Sequence, residues 1–295
     1  MTDLRDMQLL AALARHKHFA RAAEECGISQ PAFSARIRNL EASLKAPIVR
    51  RGNRFMGFTP EGEIALRWAH KLLADADGLR QDIEQAKGEL SGKLRIGVVP
   101  TALAYIAKIP ARLRATHPDL AIHIISANSQ QITRGLEDFS LDAGITYLDE
   151  NLPSGLTSEP IYNERYVLLC PPEMAPRSTG EATWEEASKL PLCLLTPDMR
   201  NRRIIDEVFE TVGTHPTPVM ETNAFTAALA QVATGTAATI APELLAESLP
   251  VGEHTVRLSL TSPQVSKPIG LVAADRDPVV PAVRALRAAL KTAVS

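Results

Sequence analysis

Small and hydrogen-bonding residues gather on one face of a predicted helix, at Gln30, Pro31, Ser34, Arg36 and Arg38. At about 100° per residue, the apolar positions of this segment point the other way. Arg36 lies nearest the apolar edge and can extend its charged head outward along its stem. Glutamine can bond adenine, arginine can bond guanine, and a serine hydroxyl can bond a phosphate or a base edge. The face therefore predicts a helix that enters the major groove of DNA.

The helix pair between Phe19 and Leu44 would position that face. Gly27 interrupts the first helical pattern, and glycine can supply the positive φ of a sharp reversal. Ser29 can cap the second helix, and Pro31 suits a first turn, where no intrahelical N–H partner is needed. These signals predict a helix-turn-helix. The alternative is an ordinary helical hairpin with a solvated polar face, because short motifs produce false positives.

Three arginines, Arg50, Arg51 and Arg54, bracket a Gly-Asn turn directly after the helix pair. Strand-like pieces on both sides of this turn predict a β-hairpin wing. Arginines on such a wing would contact backbone phosphates or the minor groove. The alternative is a solvated charged loop, but the position beside the helix pair favours the wing.

The charge of the chain is unevenly distributed. Residues 1–58 hold ten Lys/Arg and five Asp/Glu, a net charge of +5, whereas the remainder carries −7. A basic head on an acidic body is typical of a nucleic-acid-binding protein with a separate second function. A length of 295 residues predicts two or three domains.

The sequence contains no Gly-x-Ser-x-Gly, His-Glu-x-x-His, P-loop or dinucleotide-binding glycine motif. We therefore predict no enzyme and no cofactor. Cys26, Cys170 and Cys193 are far apart and form no Cys-x-x-Cys, which argues against a zinc site and for a reducing compartment. They are interpreted as small buried hydrophobic residues. Neither a signal peptide nor a membrane span is predicted, so we expect a cytoplasmic protein.

A long helix is predicted to begin at Thr59. Thr59 can cap it, Pro60 fits the first turn, and Glu61 and Glu63 suit the positive end of the helix dipole. Apolar residues then recur at alternating spacings of four and three, at Ala65, Ala69, Leu72, Ala76, Leu79, Ile83, Ala86 and Leu90. This heptad pattern favours pairing with a second copy of the helix, and hence a dimer. The alternative is a long helix packed on its own body.

Strands and helices alternate through the rest of the chain. The predicted strands 93–99, 120–126 and 141–147 are separated by helices, which indicates right-handed βαβ units and a parallel sheet. A second lobe is predicted to begin with the strand 162–170, and a closing helix at 281–293 would return to the first. Two lobes joined by two crossings form a cleft, and ligands of such sheets sit beyond the carboxyl ends of the strands.

The chain resembles a LysR-type transcriptional regulator over essentially its whole length. The segment FARAAEECGISQPAFSARIRNLEASL resembles the winged helix-turn-helix of that family, and RRGNRFMGFTPEGE resembles its wing and the start of its linker helix. KLRIGVVP resembles the opening of its effector domain, which is similar to periplasmic binding proteins. The resemblance implies an α/β protein with a winged helix-turn-helix at 1–58, a linker helix at 59–91 and a two-lobed, Rossmann-like effector domain at 92–295. Lobe I would comprise about 92–161 plus 266–295, and lobe II about 162–265.

The resemblance also implies partners and an effector site. It implies a homotetramer that binds double-stranded promoter DNA, with RNA polymerase as a further partner. It implies a small-molecule effector in the cleft, bound by Pro100, Thr101, Ser129, Thr196, Arg200, Asn223 and Thr239. Hydroxyls, an amide and a guanidinium at strand ends and helix starts favour a small anion such as a carboxylate.

Two alternatives stay open. A redox-responsive regulator of the same architecture would use Cys170 or Cys193. A solute-binding protein that does not bind DNA would have the cleft but no need of residues 1–90.

Overall fold

The computed structural model describes residues 3–50, 55–148, 152–176, 180–249 and 254–291. The helices are α1 Leu4–His16, α2 Phe19–Glu25, α3 Gln30–Leu44, α4 Pro60–Ala86, α5 Leu103–Ile106, α6 Ile109–Thr116, α7 Ser129–Glu137, α8 Trp184–Ser188, α9 Arg200–Thr211, α10 Phe225–Ala233, α11 Glu243–Ser248 and α12 Pro281–Lys291. The strands are β1 Gly92–Val98, β2 Leu120–Ser126, β3 Ala143–Tyr147, β4 Leu156–Cys170, β5 Glu181–Thr183, β6 Cys193–Leu195, β7 Met220–Thr222, β8 Thr239–Pro242, β9 Val256–Thr261 and β10 Ser266–Ala274.

Helices α1, α2 and α3 form the core of the N-terminal head. Helix α1 starts with a reciprocal cap, in which the side chains of Asp3 and Asp6 each accept the backbone N–H of the other residue. The predicted reversal before α3 is confirmed, because Gly27 has a φ of +67°. Ser29 caps α3, as its hydroxyl accepts the N–H of Ala32. The buried apolar residues of the head include Leu9, Leu10, Leu13, Phe33, Ile37 and Leu40.

Helix α4 leaves the head as a single long rod. Its cap is the predicted one, since the hydroxyl of Thr59 accepts the N–H of Gly62 at 2.9 Å. Gly62 also permits a close approach, because a Cβ at that position would lie 2.0 Å from the carbonyl oxygen of Ile48. The helix does not extend to Leu90 as the heptad pattern suggested. The chain turns at Gly88, whose φ is +87°, and Leu90 is buried in the effector-domain core.

The predicted parallel sheet forms the centre of lobe I. Strand β1 pairs in parallel with β2 on one side and with β3 on the other. Strand β10 then returns late in the chain and pairs antiparallel with β3. Helix α7 packs on β1 and β3, and α12 packs on α6. This arrangement confirms the predicted α/β class.

Strand β4 connects the two lobes. It pairs with β10 through Arg165, and from Tyr166 onward it pairs with β8 and β9 instead. The change of partners therefore falls inside one continuous strand, whereas the sequence pattern placed the start of lobe II at residue 162. Lobe II also contains the parallel pair β6–β7.

None of the helices within the described ranges is long and apolar enough to cross a membrane.

Candidate nucleic-acid interface and effector cleft

The predicted DNA-binding face of α3 is largely open to solvent. Gln30 and Pro31 in its first turn are exposed, as is Arg38, and Ser34 is partly buried. The opposite face supplies Phe33, Ile37 and Leu40 to the core. An exposed polar face on a helix fixed by its apolar face has the form required to reach base edges.

Arg36 differs from Arg38 because its guanidinium already has partners within the head. Its Nε and Nη2 donate to Oδ1 of Asp6 at 3.1 and 2.9 Å. Nη2 also donates to Oδ2 of Asp3 at 3.0 Å. These ion pairs join α3 to the start of α1. Arg36 therefore fixes the orientation of α3 in this structure, and a direct contact with DNA would require it to exchange these carboxylates.

The described flanks of the predicted wing pair as a hairpin should. Val49 and Phe58 form an antiparallel bridge, and the N–H of Arg50 donates to the carbonyl of Gly57 at 3.0 Å. The Arg50 side chain is exposed. The other predicted wing arginines, Arg51 and Arg54, lie outside the described residues.

Helix α4 exposes a row of apolar side chains that we call the linker stripe: Ile64, Trp68, Leu72, Leu79 and Ile83. Only part of it coincides with the predicted heptad positions. Ala65 and Ala69 pack against the head. At this level of the helix the exposed apolar residues are instead Ile64 and Trp68, each one position earlier in the sequence. The stripe shares one side of the helix, since its spacings of four and seven keep residues on one face.

Three of the predicted effector residues belong to lobe I. Pro100 and Thr101 form a tight turn after β1, and Thr101 is buried. The hydroxyl of Ser129, at the start of α7, accepts from Thr146 at 3.0 Å. These groups lie beyond the carboxyl ends of β1, β2 and β3, as the sheet rule predicts.

The other four predicted residues belong to lobe II. Thr196 follows β6 and Asn223 follows β7, and the N–H of Thr196 donates to the carbonyl of Thr222 at 2.9 Å, so the two strand ends are adjacent. Asn223 is exposed. Thr239 is buried, and its hydroxyl donates to the carbonyl of Cys193 at 2.7 Å. Thr239 therefore ties β8 to β6 in this structure.

The arginines of the cleft region have carboxylate or carbonyl partners. Arg200 lies 2.7 Å from Glu207, and Arg202 pairs with Asp206 and Glu221 at 2.8 and 2.6 Å. Arg203 donates to the carbonyl of Asp198 at 3.2 Å. Since these guanidinium groups are already paired, an anion in the cleft would have to compete with protein acceptors for them.

Sequence reasoning missed a buried polar cluster centred on Glu164. The hydroxyl of Tyr147 donates to the carboxyl group of Glu164, and it lies 3.3 Å from the hydroxyl of Thr101. Tyr162 and Tyr166 lie on the same face of β4, since side chains alternate along a strand. Burial, the largest cause, raises the pKa of Glu164 to about 7. The signal was available as Tyr, Glu and Tyr at alternate positions of an otherwise apolar strand.

The amide of Asn201, in the first turn of α9, is buried, and no residue in the described part of the chain bonds its nitrogen or its oxygen. Buried amides nearly always have a partner, so this group is suited to receive a ligand or a water molecule.

All three cysteines are buried. Burial raises the pKa of the Cys170 and Cys193 thiols above the ordinary value. Both thiols therefore carry little of the thiolate form that reacts with oxidants. No group of His, Cys, Asp and Glu suited to a metal ion occurs within the described ranges.

Two family models match the chain. Residues 4–63 match the bacterial regulatory helix-turn-helix protein of the lysR family, and residues 87–295 match the LysR substrate binding domain. A hydrogen peroxide-inducible genes activator from Haemophilus influenzae is 33% identical over 191 residues, which cover 64% of this chain and 60% of that protein. The DNA-binding transcriptional dual regulator OxyR from Escherichia coli K12 is 32% identical over 167 residues, which cover 56% of this chain and 54% of that protein. The alignments therefore span about half to three fifths of these relatives.

Solved structures share the fold. A full-length OxyR variant from Pseudomonas aeruginosa superposes with a TM-score of 0.80 at 22% identity, covering 99% of this chain and 95% of that one. Full-length CbnR in complex with its target DNA superposes with a TM-score of 0.71 at 18% identity, covering 99% and 100%.

Proposed function

The chain belongs to the LysR family of bacterial transcriptional regulators, and from this premise we propose that it binds promoter DNA under the control of a small molecule. The head would bind duplex DNA through α3 and the wing, and the effector would occupy the cleft between the lobes. Such a protein would act in the cytoplasm, at the chromosome, and would contact RNA polymerase when it activates transcription. Membership of this family counts against a solute-binding protein without a DNA-binding role.

The exposed face of α3 is the observation that carries the DNA-binding proposal. Gln30 and Arg38 are open to solvent at one end and in the middle of the helix, which is where a recognition helix presents its base contacts. The test is fluorescence anisotropy with the DNA upstream of the chain's own gene, at several salt concentrations. Arg38→Ala should weaken binding about tenfold, whereas Lys108→Ala, an exposed change in the effector domain, should not. Equal affinity of both variants would contradict the assignment.

The linker stripe supports self-association. Leu79 is 65% exposed and Ile83 is 51% exposed, and burying such side chains against a second copy would contribute about 1.5–3 kcal/mol each. Dimers that form through this stripe would place two heads on a two-fold symmetric DNA site. Contacts between effector domains would then build the homotetramer.

The effector is proposed to be a small molecule recognised by hydroxyl and amide groups. A small anion, the class predicted from the sequence, would use the helix starts at α7 and α9 and would draw Arg200 away from Glu207. The test is thermal unfolding of the wild type with small carboxylates, oxyanions and matched neutral amides. Thr101→Val should abolish the shift that the best compound causes. Because the buried Thr101 hydroxyl also contacts Tyr147, the shift is measured from the variant's own midpoint without ligand. A shift that persists in this variant would place the effector elsewhere.

The redox alternative has support from relatives that are named as hydrogen peroxide-inducible genes activators. The environment of the thiols counts the other way, since both Cys170 and Cys193 are buried with a raised pKa. Peroxide treatment followed by DNA-binding assays separates the two. A change in DNA binding that disappears in Cys170→Ser or Cys193→Ser would establish the redox mechanism, whereas an unchanged footprint favours the metabolite mechanism.

A further inference from the structure

Helix α7 begins at a contact between the two lobes. Asn128 caps the helix, because its Oδ1 accepts the N–H of Gln131 at 2.9 Å. The same side chain uses its Nδ2 to donate to Oδ2 of Asp198 at 3.2 Å. Asp198 follows β6 in lobe II, so one residue both starts α7 and binds the opposite lobe. The hydrogen bond from Thr146 to the next residue, Ser129, fixes this end to β3.

The other end of α7 reaches the linker helix. Burial lowers the pKa of the His70 imidazole on α4, and the neighbouring Asp138, directly after α7, acts in the opposite direction. The guanidinium of Arg276 lies 5.4 Å from the ring centre of Phe139, and the same group pairs with Asp75 of α4. The nine residues of α7 span about 13 Å, and the lobe contact and the linker contact lie at its two ends.

Helix α7 is seated too closely on the sheet to absorb a displacement by bending. A Cβ on Gly144 would lie 2.4 Å from Cγ2 of Ile132, and a Cβ on Gly97 would lie 2.6 Å from Cδ1 of Leu141. The two glycines therefore let α7 and its following turn pack directly on the backbone of β1 and β3. In so close a packing, movement of one end is transmitted to the other rather than lost in loose side chains.

The turn at Phe139 has both strain and room to move. Phe139 has a φ of +59°, which is unfavourable for an aromatic residue. Beside it lies a cavity of about 20 Å³ whose lining includes Ala74, Leu141 and Val280, enough for about one water molecule. A strained turn beside a small cavity can adopt a second arrangement at small cost.

We propose that α7 couples the relative position of the two lobes to the linker helix. When lobe II draws Asp198 away from Asn128, the start of α7 shifts, the turn at Phe139 rearranges, and the contacts around His70 and Asp75 loosen. Any consequence for DNA binding rests on the proposed function, but the coupling itself does not.

A second set of contacts holds the C-terminal part of α4 and should limit how far along the helix the loosening extends. Oε1 of Gln81 accepts the N–H of Ala282 at 3.1 Å, and Arg284 donates to Asp82 and Gln85 at 3.0 and 2.7 Å. These bonds come from α12 and its first turn and involve no residue of α7. The coupling should therefore loosen α4 around residues 68–76 and leave residues 81–86 unchanged.

The test is hydrogen exchange by mass spectrometry on the full chain without DNA, so that its result is independent of DNA binding. Asn128→Ser keeps a capping hydroxyl but removes the amide that reaches Asp198. Asp198→Ala cuts the same bond from lobe II, and Asp206→Ala is the matched control, since it breaks an ion pair of α9 that does not touch α7. Both cuts should raise exchange at 68–76 about threefold or more, and the control should not.

A double variant then tests the route. Phe139→Gly removes the ring and relieves the positive φ, so it should raise exchange at 68–76 by itself. Adding Asn128→Ser to Phe139→Gly should then cause no further increase, because both act through one path. The proposal is overturned if the single cuts change exchange only within 126–137 and 196–200, or if the effects of the two changes add.

Discussion

Replacing Glu164 by glutamine should remove a pH dependence from the stability of the chain. The folded state holds this carboxyl group in a buried cluster with Tyr147, and burial raises its pKa from 4.5 to about 7. The unfolded chain returns it to water. The folded state therefore binds the proton more tightly, and the contribution of Glu164 to stability is complete below pH 4.5 and is lost as the pH rises through 7.

The magnitude follows from the two pKa values. A shift from 4.5 to about 7 corresponds to about 3 kcal/mol over the whole range. Between about pH 5.5 and about pH 8 the expected loss is about 2 kcal/mol in the free energy of unfolding. Glutamine preserves the shape of the side chain and an acceptor for the Tyr147 hydroxyl, but it has no proton to lose. The loss should be absent in Glu164→Gln.

The assay is urea unfolding followed by the fluorescence of Trp184, which packs against Tyr166 in lobe II with ring centres 6.4 Å apart. Trp68 is exposed on α4 and would be replaced by phenylalanine in every protein compared. The lowered pKa of His70 makes the free energy of unfolding rise with pH, opposite to the effect of Glu164. Only the difference between the pH profiles of wild type and Glu164→Gln therefore isolates the contribution of the carboxyl group. Glu173→Gln, at an exposed turn, is the control. Parallel pH profiles for wild type and Glu164→Gln would refute the assignment.

Arg36→Ala should lower both DNA affinity and the unfolding midpoint of the head, because it removes ion pairs with α1, whereas Arg38→Ala should lower affinity alone; anisotropy and thermal unfolding compare the two. Leu79→Asp should give monomers by light scattering, with Lys87→Asp, just beyond the end of α4, as control, and an unchanged mass would exclude the linker stripe as the dimer contact. Gly62→Ala should destabilise the head by about 2 kcal/mol or more, since its Cβ would lie 2.0 Å from a carbonyl oxygen; circular dichroism on heating measures it.

Local signals in the sequence predicted the head well. The reversal at Gly27, the cap at Ser29 and the start of α4 at Thr59 are all as expected. These features depend on the residue itself and its nearest neighbours. Backbone conformation and capping are decided within a few residues, so a single sequence contains the information needed to predict them.

The partners of side chains were not predictable in the same way. Arg36 finds its carboxylates on α1, about thirty residues earlier in the chain, and periodicity only states that it faces outward. The change of partners along β4 coincides with a change from mostly exposed or partly buried residues to a continuously buried run after Arg165. An apolar run shows that a strand is buried, but it does not identify the strands that pair with it. The same limit applies to Asn128 and Asp198, whose contact depends on how two lobes meet.

The heptad pattern has the correct period, but it predicts only part of the exposed apolar surface of α4. Ala65 and Ala69 fit the period as well as Leu79 does, yet they pack on the head while Leu79 is exposed. The period determines which residues share a face of the helix. Which face is exposed at a given point along the helix depends on what else packs against it there. The head covers one side of α4 at its start, so the exposed apolar row there moves to Ile64 and Trp68. A second copy must therefore meet large side chains along the whole stripe, which favours a wider separation of the two helices than an alanine-lined contact would allow.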